Sequence, residues 1–278
     1  MMRVRSQPRP GNPISVASAD PAGRPSWGAA LPTLYALEEA HWWTRGMFAC
    51  TAAILAADGW SGRGAVLDVG CGSGGALSQL AARPRIGVDI SPLALLHAHQ
   101  HSDLTLVCAS AMALPLAPAR FDLVLALDSL DQRQMDSRQA LIACAGQLRP
   151  GGRLLVRVSA HPWLHSAHDE LTGTAARMSA RQLQTLLQEA GLTVRRLTYA
   201  NAVLFPLAAS RRLLADTLRQ PLAHDLQLPP APLNRLLRLV LEREAGWLRC
   251  GYDLPWGLSL YALAVSSQQK PGANEVQP

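Results

Sequence analysis

The chain reads as an α/β protein with a mostly parallel, seven-stranded sheet covered by helices on both faces. Three observations carry that reading. Short apolar runs alternate with helical segments between about residues 64 and 200, as in a parallel sheet. "VLDVGCGSGG", Val66 to Gly75, joins a buried strand to a helix through four glycines in six residues. The 278 residues, 49% hydrophobic and 17% charged, can bury a substantial core.

The elements follow in order. Residues 1–30, rich in Pro, Ser, Gly and Arg and without periodicity, read as a disordered tail. Residues 31–60 read as an N-terminal helical lid with an aromatic cluster at Trp42 and Trp43. A core spans 61–201. "GAVLDVG" is its first strand and "GALSQLAA" a helix opening from the glycine turn. "RIGVDI" is the second strand, followed by a helix with Ser91 as N-cap and Pro92 in its first turn. "LTLVCAS" and "RFDLVLALDSL" are strands three and four; "SRQALIACAGQL" is helical, and "RPGG" turns into the fifth strand, "RLLVRVSA". Ser179 and Gln182 have capping-box spacing, and Gly191 stops the helix they open. "LTVRRLTYA" is strand six. Residues 202–256 form a helical cap, in which "LNRLLRLVLEREAGWL" places Leu233, Leu236, Leu237, Val240, Leu241 and Leu248 on one face. Residues 257–266 supply strand seven, and 267–278 form a second disordered tail.

Composition narrows the function classes. Five cysteines, odd in number and never in CxxC, argue against a disulfide framework or a zinc site and fit a reducing cytoplasm. No apolar stretch is long enough to span a membrane; the basic, leucine-rich cap leaves weak membrane-surface association open. The formal net charge is +6, but the arginines are dispersed and aromatics are 5% of residues, so no nucleic-acid partner is expected.

The glycine turn points to a nucleotide-bearing ligand at the carboxyl ends of the strands. A pyrophosphate there would face Asp68, a like charge in a partly buried site. S-adenosylmethionine has no phosphate, and its ammonium suits a carboxylate. Asp89 ends the second strand about 20 residues on, where an acid can take both ribose hydroxyls.

Together with "GVDIS", "SAMALPLAPARFDLVLALDSL" and "LRPGGRLLV", the turn resembles the class I S-adenosylmethionine-dependent methyltransferases over roughly Leu31 to Val265. The resemblance implies a doubly wound, Rossmann-like sheet whose last strand is antiparallel. "LEEAHWWTRG", "HPWLHSAHDE" and "LPWGLSLYA" further resemble a bacterial small-molecule subgroup with an HWW-type N-terminal element. Carried over, Asp68, Gly70, Cys71, Gly72 and Gly74 form the methionine-side cradle, and Arg45 reaches the methionine carboxylate. Asp89 binds ribose, Ile90 packs on adenine, and Ser110, Ala111 and Met112 border it. Asp128 and Ser129 face the sulfonium and methyl.

The acceptor side departs from the family. Ser110 replaces an acid, Asp131-Gln132 replaces an acid-His pair, and "GTAARM" places Thr174, Ala176 and Met178 where polar residues are usual. His161, His165 and His168 cluster after strand five as candidate bases beside Asp128, and His41, Trp42, Trp43 and Trp163 are candidate acceptor contacts. No metal is expected. The sequence therefore reads as a methyltransferase for a small, largely apolar acceptor, with O-methylation favoured. A nicotinamide-dependent oxidoreductase and a non-catalytic cofactor-binding scaffold are the alternatives.

Overall fold

The computed structural model describes residues 15–16, 40–101, 103–166, 169, 173–218 and 228–266. The proposed lid before residue 40, most of the first tail, the second tail and His168 therefore lie outside the described residues. Helix α1 (Trp42–Ala57) precedes strand β1 (Val66–Val69), α2 (Gly75–Ser78) and β2 (Arg85–Asp89). Then come α3 (Pro92–Ala98), β3 (Thr105–Cys108), β4 (Phe121–Leu127), α4 (Ser137–Gln147) and β5 (Leu148–Ser159). Helix α5 (Ala180–Glu189), β6 (Leu192–Ala200), α6 (Phe205–Leu218), α7 (Ala231–Arg249) and β7 (Ser259–Ser266) complete the chain.

The sheet order is β3-β2-β1-β4-β5-β7-β6, parallel except that β7 runs antiparallel to both β5 and β6. Ser15–Val16 add a two-residue parallel edge strand against Val107 and Cys108. The reversal of strand order at β1 leaves a crevice between the carboxyl ends of β1 and β4, where open α/β sheets hold ligands.

Local signals act as the residue types dictate. Ser91 Oγ accepts the Ala94 N–H (3.3 Å). At α5 both halves of the capping box form, Gln182 N–H to Ser179 Oγ (3.3 Å) and Ser179 N–H to Gln182 Oε1 (2.9 Å). Two elements differ in length. The helix after the glycine turn is only Gly75–Ser78, and Arg149–Gly152 belong to β5, whose pairing with β4 shifts register between Phe121 and Leu123.

One face of the sheet packs against α4 and α5 through residues such as Leu141, Cys144, Leu183 and Leu187. The other packs against α1, α3 and α7 through Met47, Ile54, Leu95, Leu241 and Leu248. Each such leucine, fully removed from water, contributes about 1.5–3 kcal/mol. Helix α7 lies along α1, and a Cβ on Gly46 would run into the Leu241 side chain. The packed face of α7 is Leu241, Glu244, Ala245 and Leu248; Leu233 and Leu236, expected on the same stripe, are exposed. Glu244 explains the rotation, because its buried carboxylate accepts the N–H groups of Ala202 (3.1 Å) and Val203 (2.8 Å).

Candidate active site

A cavity of about 200 Å³ opens between α1 and the carboxyl ends of β1, β4 and β5. Trp43, Thr44, Phe48 and Thr51 of α1 form its roof, and Asp68, Gly70, Cys71 and Gly72 of the glycine turn one wall. Asp128 and Arg157 form the other wall. Gly70 has φ +78°, and a Cβ there would collide with Ser129, whose hydroxyl is fixed on the Val69 carbonyl (2.8 Å). Gly74, at φ +75°, caps α2. Cys71 is a packing residue here, since a Cβ on Gly87 would come within 2.8 Å of its Sγ.

Three carboxylates surround the turn. Asp68 is 2% exposed at the end of β1 and faces the cavity. Asp89 accepts Gly72 N–H and Ser91 N–H, each at 2.8 Å, so it braces the turn from β2. Burial raises the pKa of Asp89, and the backbone N–H groups of Ser91, Gly72 and Ile90 oppose that rise. Asp128 sits at φ +55°, beyond β4, and accepts Arg157 Nε (2.9 Å) and Nη2 (2.6 Å) on one oxygen, Oδ2.

Arg157 anchors a buried network. Its Nη1 donates to Tyr261 Oη (3.2 Å), Trp43 lies over its guanidinium at 5.0 Å, and Tyr261 Oη and Thr51 Oγ1 share a hydrogen bond (2.9 Å). Burial works against the Arg157 charge, but Asp128 and Tyr261 outweigh it and hold the pKa above the ordinary arginine value. Burial pushes the Tyr261 hydroxyl up to about 12. Three residues beyond Asp128, Asp131 is 3% exposed and accepts Ser159 N–H on Oδ2 (2.8 Å). Burial, then the Asp128 charge, pushes its carboxyl up to about 6.

The adenine-side candidates stand at the ends of β2 and β3, outside this cavity. Ile90 is 41% exposed, Ala111 is buried and Met112 half-buried. Ser110 Oγ accepts Met112 N–H (3.2 Å), so its hydroxyl shapes the turn. Arg45, expected at the methionine carboxylate, is on the exposed side of α1 and does not line the cavity; Arg157 is the guanidinium that does. His41 caps α1 by accepting Trp43 N–H (3.3 Å), and Trp42 N–H donates to Asn234 (2.9 Å), so both fasten the start of α1.

The histidines separate. His161 adopts φ +62° just beyond β5 and stacks on Tyr199 (5.2 Å, 3°), with Phe205 and Trp163 around it. Its ring hydrogen-bonds the Gly257 backbone, and its buried Nε2 has no hydrogen-bond partner among the described residues. Burial lowers its pKa; the Gly257 bond opposes this and Arg177 adds to it. His165 is exposed. Asp169 is committed to Arg177 through Nε to Oδ2 (3.0 Å) and Nη2 to Oδ1 (2.6 Å). Burial raises the Asp169 pKa, but Arg177 and the Ser166 N–H outweigh it, so the net shift is downward. Reading the sequence missed Arg157, Tyr261, Thr51 and Arg177. The available signals were an arginine inside "LLVRV" and a tyrosine inside "SLYALAV", polar letters in strands buried on both faces.

Residues 66–152 match the family model described as a methyltransferase domain. The O-methyltransferase resE of Aspergillus sclerotiorum is 34% identical over 46% of this chain and 54% of its own length. The chain spans about half the length of the curated relatives it matches. A SAM-dependent methyltransferase from Thermotoga maritima superposes with a TM-score of 0.54 at 17% identity, over 87% of this chain and 99% of that one. A chain of the complex between the Haloferax volcanii Trm112 methyltransferase activator and a methyltransferase gives 0.56 at 19% identity, over 89% and 100%. The chain has the fold of these proteins.

Proposed function

We propose that the protein is an S-adenosylmethionine-dependent methyltransferase acting on a small, largely apolar molecule, most readily at oxygen. The observation that carries this reading is the cavity, whose glycine wall leaves no Cβ at Gly70 and whose acids are Asp68 and Asp128. A cavity with two carboxylates against one guanidinium disfavours a pyrophosphate and attracts a ligand with cationic centres. The match of residues 66–152 to a methyltransferase domain supports the reading, and the curated relatives named O-methyltransferases support oxygen as the acceptor atom. When bound, S-adenosylmethionine supplies an activated methyl group at its sulfonium.

The chain's own residues do the rest. Asp68 and Asp128 attract and orient the cationic end, and Asp89 holds the turn while offering lone pairs to ribose hydroxyls. Trp43, Phe48 and Thr51 roof the cavity and exclude water. Methyl transfer to a hydroxyl also needs a proton acceptor, and of the candidate bases after β5 that are described, His161 and His165, His161 is the better. Its lowered pKa keeps the ring neutral at pH 7, and Nε2 is uncommitted, whereas His165 is exposed. Tyr199, Phe205 and Trp163 around it make an aromatic surface suited to an apolar acceptor.

Calorimetry decides the cofactor class: S-adenosylhomocysteine should bind and NADH should not, and tighter NADH binding overturns the reading. For the base, incorporation of labelled methyl into a panel of phenols should fall at least tenfold in His161→Gln and stay near wild type in His165→Gln. Equal activities would remove His161 from the chemistry.

A further inference from the structure

We propose that Arg157 holds the carboxylate end of the cofactor, making the pocket selective for ligands with an intact amino-acid terminus. The inference rests on the reading of the cavity as an adenosyl-cofactor site, and it goes further by assigning a residue that no motif marks.

Arg157 lies inside the apolar strand segment Leu154–Val158, its side chain is 10% exposed, and it lines the cavity. A guanidinium carries five N–H donors. Three are used: two reach Asp128 Oδ2 and one reaches Tyr261 Oη. The other two have no partner among the described residues. A buried charged donor left unmatched is costly, so a guanidinium held here suits an acceptor that arrives with the ligand.

The group is also held still. Trp43 covers one face of the guanidinium, and Tyr261 is fixed by Thr51 Oγ1 (2.9 Å) and by donation to the Met47 carbonyl (3.0 Å). What remains available is one N–H on Nη1 and one on Nη2, donors of the kind that hold a carboxylate through paired charge-assisted bonds. Asp128 takes the Nε hydrogen and one Nη2 hydrogen and leaves these two unused.

Charge complementarity points the same way. The charged residues lining the cavity are Asp68, Asp128 and Arg157, two negative and one positive. S-adenosylmethionine carries the opposite set: sulfonium and ammonium positive, carboxylate negative. A ligand cut back to its nucleoside and sulfur would leave Arg157 without that partner.

The test is calorimetric. S-adenosylhomocysteine and 5′-methylthioadenosine, which lacks the amino-acid end, are titrated into wild type, Arg157→Lys and Arg157→Met. Wild type should prefer S-adenosylhomocysteine at least tenfold. Arg157→Met should lose at least tenfold in affinity for it while binding 5′-methylthioadenosine within twofold of wild type, with Arg157→Lys between. Should Arg157→Met fail to fold, decarboxylated S-adenosylhomocysteine titrated into wild type asks the same question and should bind at least tenfold more weakly than the parent. Equal losses for both ligands in Arg157→Met, or equal affinity for the decarboxylated ligand, overturn the assignment of Arg157 alone. Failure of wild type to bind S-adenosylhomocysteine removes the pocket assignment, and the role of Arg157 with it.

Discussion

Two arginine–aspartate pairs stand near the carboxyl ends of the central strands, and they are built differently. Arg177 and Asp169 are 3% and 1% exposed and face each other fork to fork, one nitrogen per carboxylate oxygen. The third Arg177 nitrogen donates to the Ala160 carbonyl (2.9 Å), and Ser166 N–H (2.8 Å) also binds Asp169. Arg157 and Asp128 are 10% and 29% exposed, and both arginine bonds fall on a single carboxylate oxygen. The first pair is closed and spends its donors on the loop after β5. The second has donor and acceptor capacity left over, and it borders a cavity. The same two residue types thus close a clasp in one place and line a cavity in the other.

The largest effect expected follows from opening the clasp. Arg177→Met leaves Asp169 buried without its counter-charge, which should cost about 3–5 kcal/mol in denaturant unfolding at neutral pH. Loss below 1 kcal/mol would mean the pair is not needed for the loop. Next comes the glycine wall: Gly70→Ala forces a side chain into left-handed backbone and into Ser129, costing about 1–3 kcal/mol. S-adenosylhomocysteine affinity should fall with it, and an unchanged unfolding midpoint would contradict the described turn. Asp89→Ala should weaken S-adenosylhomocysteine at least tenfold, because it removes charged hydrogen bonds of about 1.5–3 kcal/mol. Unchanged affinity would take Asp89 out of the site.

A fourth effect, resolved by pH, concerns Asp131. Its carboxyl, pushed up to about 6 by burial and by Asp128, ionises later in the native protein than in the unfolded chain. Between roughly pH 4 and 6 the unfolded state gives up this proton and the native state keeps it, so stability falls as pH rises through that window. Asp131→Asn removes the difference. It should therefore gain stability relative to wild type, by up to about 3 kcal/mol, at pH 8 but not at pH 4. Equal gains at both pH values would show that the charge is not the cause.

How far the molecule was legible depends on whether the deciding contacts are local. The glycine turn, the Ser91 cap, the Ser179–Gln182 box and the Gly191 stop each act within a few residues, and they stand where the sequence put them. The strand alternation carried the sheet, and the family resemblance added the antiparallel last strand. The face of α7 was misjudged because Leu233 and Leu236 outweigh Glu244 in hydrophobicity. Only contacts some 40 residues away, at Ala202 and Val203, explain why a glutamate turns inward. Arg45 drew attention because it sits in a recognisable element, while Arg157 was hidden in a strand. Its meaning comes from Asp128, Trp43 and Tyr261, 29 to 114 residues distant.

The most direct test sets the two pairs against each other. Asp128→Asn and Asp169→Asn are compared for S-adenosylhomocysteine dissociation constant and for unfolding free energy, under conditions where both are folded. Asp128→Asn should lose at least tenfold in affinity with the smaller loss of stability, and Asp169→Asn should keep near-wild-type affinity with the larger one. If the two variants lose affinity alike, or if Asp169→Asn alone loses it, the division between a binding wall and a structural clasp is wrong.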